Sequence, residues 1–178
     1  MKTKVKICGI RTLESAQTAV GAGADFLGFN FVSSSPRYVK PELAKEIISK
    51  LKKSVKIVGV FQNAKIDLIN KIVDLLSLDF IQLHEKRIIQ STKNKTIYQL
   101  IDRKKQGAGQ MPDLNKAKTL AENSKVFFAG GLTPENIQQS ILYVKPFAVD
   151  VAGGIETNGL QDNKKIKAFI ANAKGVII

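Results

Sequence analysis

The sequence predicts an α/β fold, a parallel barrel of the TIM or (β/α)8 type, in one domain over residues 1–178 and about one strand–helix unit short. Three observations predict it. Short β-rich runs alternate with amphipathic segments along the chain, the pattern of a parallel sheet covered by helices. The runs end in glycine or in a chemically active side chain, as strands do at the face where such barrels carry their sites. Run-to-run spacing is about 20 to 30 residues, except in "SLDFIQLHEKRIIQSTKNKTIYQLIDRKKQGAGQ" (77–110), where it is far shorter.

The first strand is 4–8, "KVKIC", and a helix over 12–22 follows it. A second strand, 26–31 "FLGFNF", leads to a helix over 41–53 that Pro41 opens as a first-turn proline. Strands 56–61 "KIVGVF" and 79–84 "DFIQLH" flank a helix over 65–76. After the short stretch, 96–102 "TIYQLID" reads as a strand and 114–123 as a helix. Strand 126–131 "VFFAGG" precedes Thr133, Pro134 and Glu135, which read as N-cap, first-turn proline and acidic first turn of a helix over 134–143. Strand 147–153 "FAVDVAG" and a helix over 161–173 complete the series. These are seven strands where the barrel type has eight. Between His84 and Asp102, "EKRIIQSTKNK" supplies roughly two or three helical turns at most, so the deficit is local.

Composition narrows the class. An apolar share of 44% with charge spread along the chain is the profile of a soluble globular protein. The apolar runs have strand length, far from the ~20 residues that cross a bilayer. "MKTKVKICGIRT" does not read as a signal peptide. One cysteine excludes an internal disulfide and suits a reducing, cytoplasmic location. The net charge is +13, carried mostly by lysines scattered over helix faces. With neither zinc-ligand spacing nor an RNA-binding signature, no metal and no specific nucleic acid are expected. A positive field also draws anionic small molecules.

Reading off the residue after each strand assembles one rim. It would hold Cys8-Gly9, Arg37 in "SSSPRY", His84, Asp102 with "QGAGQ" (Gly107, Gly109), Gly130-Gly131, and Asp150 in "DVAGGIE" with Gly153 and Gly154. Taken singly, each is ordinary. A lone cysteine at a strand end is most often a small buried hydrophobe, an arginine in a loop is usually solvated, and glycine pairs often mark turns. Their shared location gives them weight. Glycine loops let backbone N–H groups approach a phosphate, and a helix start adds its dipole. "AGGLTPEN" and "VDVAGGIE" repeat that device after successive strands, where these barrels often bind phosphate.

"VKICGIRTLESAQTAVGAGADFLGFNFVSSSPRYV", "IQLH", "LIDRKKQGAGQMPDL", "FFAGGLTPENIQQSI" and "AVDVAGGIE" closely resemble the phosphoribosylanthranilate isomerases of tryptophan biosynthesis, in the family's order. The resemblance implies a cofactor-free Amadori rearrangement, in which N-(5-phosphoribosyl)anthranilate becomes the 1-deoxyribulose 5-phosphate. It places the general base at Cys8 and the general acid at Asp102. It implies that Arg37 holds the anthranilate carboxylate, with His84 and Asp150 also contacting substrate. Gly107, Gly109, Gly130, Gly131, Gly153 and Gly154 would cradle the phosphate.

Four departures from the family pattern stand out. Glu85 replaces the glycine after "QLH". Gln106-Gly107-Ala108-Gly109 replaces "GGTG", and Ala152-Gly153-Gly154 replaces "SSG". The region of the family's fourth helix, fifth strand and fifth helix is shorter by roughly 25 to 30 residues, about one βα unit. Strand number, tilt and shear are linked in a closed barrel. Seven strands therefore imply either strained closure or open edges that invite a second copy, giving a monomer or a homodimer. The alternative function is a barrel-derived protein that binds a sugar phosphate without turning it over.

Overall fold

The computed structural model describes residues 2–51, 54–84 and 113–178, together with the backbone of 96–97 and 99–101. Eight strand segments form one parallel sheet. They are β1 (Lys4–Cys8), β2 (Phe26–Asn30), β3 (Lys56–Phe61), β4 (Phe80–Leu83), β5 (Thr96–Ile97), β6 (Gln99–Ile101), β7 (Val126–Ala129) and β8 (Ala148–Val151). Their order is β5-β4-β3-β2-β1-β8-β7-β6, so the sheet curls until its first strand lies beside its last. β5 pairs with β4, and β6, one residue further along the chain, pairs with β7. The helices between strands are α1 (Leu13–Ala22), α2 (Pro41–Ser49), α3 (Ile66–Leu76), α4 (Leu114–Asn123), α5 (Ile137–Val144) and α6 (Asn163–Lys174).

Alternation along each strand sorts residues to two sides. Val5, Ile7, Leu27, Phe29, Ile57, Ile81, Phe128 and Val149 belong to the large apolar cluster that the helices cover. The opposite face carries a small separate cluster, Phe26, Val58, Phe127 and Ala148, with Phe80 and Phe147 packed on it. Its rings meet edge to face, Phe26 to Phe127 at 5.2 Å and Phe26 to Phe80 at 5.9 Å, a favoured geometry. These residues lie at or near the strand starts, so the inside of the sheet is plugged with aromatic rings at that end. Polar side chains begin one step further along the strands.

Most boundaries follow from local chemistry. Thr12 caps α1, accepting from Ser15 N, and Gly23 ends it at φ +99°. Pro41 occupies the first turn of α2, which ends at Ser49 and not at 53. Asp113 and Asp162 accept two backbone N–H groups each at the starts of α4 and α6. One expectation shifts. Thr133 does not cap α5, which begins at Ile137; its hydroxyl accepts from Glu135 N in a turn, and its amide donates to Asn136 Oδ1. The dipole-bearing helix start thus lies one turn beyond Thr133. Among the described residues, no helix is long and apolar enough to cross a membrane.

Candidate active site

Cys8 ends β1 beside Gly28 of β2, its register partner. A Cβ on Gly28 would lie 2.8 Å from Cys8 Sγ and 3.1 Å from Lys6 Cε. Only glycine leaves that notch open. The next residue, Gly9, sits at φ +78°, where a Cβ would be strained and would meet Arg37 Cδ at 2.7 Å. The arginine side chain therefore lies directly over the backbone that follows the cysteine. "KICG" and "SPRY", far apart in sequence, meet as one surface.

Arg37 is not a freely solvated side chain; it is partly buried and tethered. Its Nε and Nη2 donate to Glu156 Oε1 and Oε2 at 2.8 and 2.6 Å, a bidentate pair. Those hydrogen bonds, more than the opposing effect of burial, hold the guanidinium pKa above its usual value. Glu156 begins a two-stranded hairpin, β9 (Glu156–Thr157) and β10 (Leu160–Gln161). Arg11 Nη2 donates to Gly159 O, Lys165 Nζ to Glu156 O and Gln161 Nε2 to Cys8 O, fastening the hairpin across the rim. The sequence reading missed this element. Its signal was Asn158-Gly159, both at positive φ (53° and 74°), the residue pair that two-residue hairpin turns favour.

Lys6, also missed, is the centre of the polar layer. It is 1% exposed and donates from Nζ to Asp150 Oδ2 and Gln82 Oε1, both at 2.8 Å. Its signal was a lysine two residues before Cys8 in an apolar strand, hence on the same face. Burial alone would lower its pKa, but Asp150 and Cys8 together raise it, so the ammonium is kept. Because Gln82 Oε1 accepts from the ammonium, its Nε2 is left to donate to His84 Nε2, 3.0 Å away. That fixes His84 Nε2 as an acceptor. Asp150 is 6% exposed, and its Oδ1 has no hydrogen-bond partner among the described residues. Cys8 is partly exposed, yet burial pushes its thiol pKa up, more than Lys6 pulls it down.

The two glycine loops touch. Gly130 and Gly131 have φ of +93° and +67°, open to glycine at little cost. Gly153 and Gly154 enter a 3-10 turn, Gly153–Ile155. A Cβ on Gly154 would fall 1.8 Å from Leu132 O, and one on Gly153 would lie 3.2 Å from Arg37 Nη2. The loop after β7 and the loop after β8 are therefore in backbone contact beside the guanidinium.

Cys8, Arg37, Asp150, Gly153 and Gly154 thus gather at one rim, and Gln82 joins His84 to it. Asp102, Gly107, Gly109 and Glu85 lie outside the described residues. No group of three or more metal-ligating side chains occurs among the described residues.

Comparison with known proteins adds the family. A profile of the family described as N-(5'phosphoribosyl)anthranilate (PRA) isomerase matches residues 5–98 and 85–172. An N-(5'-phosphoribosyl)anthranilate isomerase of Citrifermentans bemidjiense is 37% identical over 204 residues, covering 99% of each chain. The crystal structure of phosphoribosyl anthranilate isomerase from Thermotoga maritima superposes with a TM-score of 0.89 at 32% identity, covering 98% of this chain and 100% of that one. A phosphoribosyl anthranilate isomerase solved with reduced 1-(o-carboxyphenylamino)-1-deoxyribulose 5-phosphate gives 0.83 at 33% identity, with the same coverage.

Proposed function

Because the chain belongs to the N-(5'-phosphoribosyl)anthranilate isomerase family, we infer that it is an intramolecular aldose–ketose isomerase of tryptophan biosynthesis, and we propose that Cys8 and Asp102 carry its chemistry. The observation that supports the reading best is the placement of Cys8 beside Arg37 and Asp150, next to two touching glycine loops.

In this reading Asp102, as the acid, protonates the furanose ring oxygen. The C1–O bond breaks, and the anilino nitrogen's lone pair forms a cationic C1=N bond. The Cys8 thiolate then removes the C2 proton, and the electron pair flows toward nitrogen to give an enolamine that tautomerises to the ketone. The cation favours ionised sulfur at the moment a base is needed. Arg37 binds the anthranilate carboxylate. Glu156 occupies its Nε–Nη2 edge, leaving the Nη1–Nη2 edge for the substrate. The Oδ1 of Asp150, without a hydrogen-bond partner among the described residues, would meet a substrate hydroxyl, and Gly130, Gly131, Gly153 and Gly154 would receive the phosphate.

We also propose that one strand–helix unit of the family is missing after β4. The family profile matches in two pieces that overlap only at 85–98. The alignment with the Citrifermentans relative spans 204 positions against 178 residues in the chain, an excess of about one such unit. The 96–101 stretch would close the ring, its first half on β4 and its second on β7.

The test is turnover of freshly generated phosphoribosylanthranilate by the purified protein, with Cys8→Ala and Asp102→Asn beside it. Turnover falling by roughly 10²–10⁴-fold in each variant is expected for a lost base or acid. A folded protein that binds the reduced product analogue but turns nothing over would overturn the reading in favour of a non-catalytic sugar-phosphate binder.

A further inference from the structure

We infer that Lys6 is a positioning residue for Cys8: its ammonium, pinned between Asp150 and Gln82, is the fixed counter-ion of the thiolate that isomerisation requires. The inference rests on Cys8 being the base. Three observations carry it. Lys6 and Cys8 stand on the same face of β1, two positions apart, and the missing Cβ of Gly28 admits both side chains into a single notch. The ammonium is not free to swing, because two buried acceptors at 2.8 Å hold it from β8 and β4. An ammonium in the inside of a sheet is costly, and an apolar residue of similar volume would stabilise the fold at least as well. Packing alone does not account for a lysine there.

The surroundings define the charge balance. Asp150 on β8 opposes ionisation of the thiol, while Lys6 on β1 favours it. Arg37, from the loop after β2, also attracts the thiolate, although Glu156 on β9 neutralises much of its charge. Gln82 of β4 contributes a dipole bonded to the ammonium, and His84, just past β4, is bonded in turn to Gln82. Attraction to the Lys6 ammonium partly offsets the effect of burial on the thiol. Removing Lys6 leaves burial and Asp150 acting together, and the thiol stays protonated.

Cys8 is the only cysteine, so alkylation of the whole protein by iodoacetamide reads this residue alone. Alkylation rate tracks the thiolate fraction. In Lys6→Gln the pH midpoint of alkylation should rise by about one unit or more, slowing the reaction near neutral pH by about tenfold. Lys6→Arg keeps the charge and should stay close to the parent. Asp150→Asn should move the midpoint the other way and speed alkylation, a reversal of sign that loosened packing would not give. An unmoved midpoint in Lys6→Gln overturns the inference. If Lys6→Gln does not fold, Asp150→Asn decides, and an unchanged or higher midpoint there also overturns it. Full turnover in Cys8→Ala would instead remove the base assignment, whatever the alkylation shows.

Discussion

Arg37 and Glu156 are joined through two parallel N–H···O bonds of 2.8 and 2.6 Å, so a carboxylate of the chain already occupies one edge of the guanidinium. Under the proposed assignment a substrate carboxylate would take the Nη1–Nη2 edge, whose direction Glu156 fixes. We predict that Glu156→Ala leaves Arg37 charged but unaimed. KM should rise by roughly ten- to a hundredfold, the worth of one charge-assisted contact, with kcat less affected. Arg37→Lys should not restore affinity, because an ammonium lacks the second edge. Steady-state kinetics of the three proteins checks both statements. A KM unchanged in Glu156→Ala would mean that the substrate carboxylate binds elsewhere.

Gly28→Ala tests the notch. The added methyl would meet Cys8 Sγ at 2.8 Å and Lys6 Cε at 3.1 Å, so both side chains must shift. A displacement near 1 Å at a catalytic group can cost ~100-fold. The expected outcome is a folded protein with kcat lower by at least about tenfold and an overpacking cost of about 1–3 kcal/mol in urea unfolding.

Gly154→Ala tests the loop contact. Its Cβ would fall 1.8 Å from Leu132 O, and a backbone oxygen cannot rotate aside as a side chain can. The loops after β7 and β8 must then part. Calorimetric titration should show weaker binding of the reduced product analogue, and little change for its dephosphorylated form. Equal losses for both would show that these loops do not receive the phosphate.

Alkaline pH should loosen the fold. The folded-state pKa values of Cys8 and Lys6 both lie above their ordinary values. As pH rises past about 8.5, the unfolded thiol loses its proton while the folded one keeps it, so the folded state holds more protons and stability falls. The lysine adds to the fall at higher pH, with the same sign. Urea midpoints measured from neutral to strongly alkaline pH should therefore decline, and Cys8→Ser should flatten the first part of that decline. A midpoint that climbs over this range would contradict the direction of both shifts.

Much of the fold was legible because the strands are buried on both faces and read as short β-rich runs between amphipathic helices. Lys4–Cys8, Lys56–Phe61 and Leu114–Asn123 fall where the sequence puts them. Of the candidate site, Cys8 ends a strand, Arg37 stands in a loop beyond one and Asp150 is one residue from the end of β8, and parallel strands all deliver their C-terminal ends to one face. Lys6 escaped that search because it sits inside a strand, and only its partners at Gln82 and Asp150 reveal its use. Glu156 escaped because its role depends on a hairpin that brings it back over Arg37, a contact between residues more than a hundred positions apart. Thr133 misled because a capping triplet can start a turn as well as a helix.

The Lys6–Asp150 pair also bears on how this sheet assembles. The two residues are register partners across β1 and β8, the first and last strands of this sheet in chain order. A slip of one residue in that pairing would turn the carboxylate to the outer face, stranding an ammonium in the interior at a cost of about 3–5 kcal/mol. Gln82 imposes the same condition from β4. Charge therefore proofreads the closure: misaligned versions of the sheet are rejected by an unpaired cation, while apolar strands alone would tolerate them.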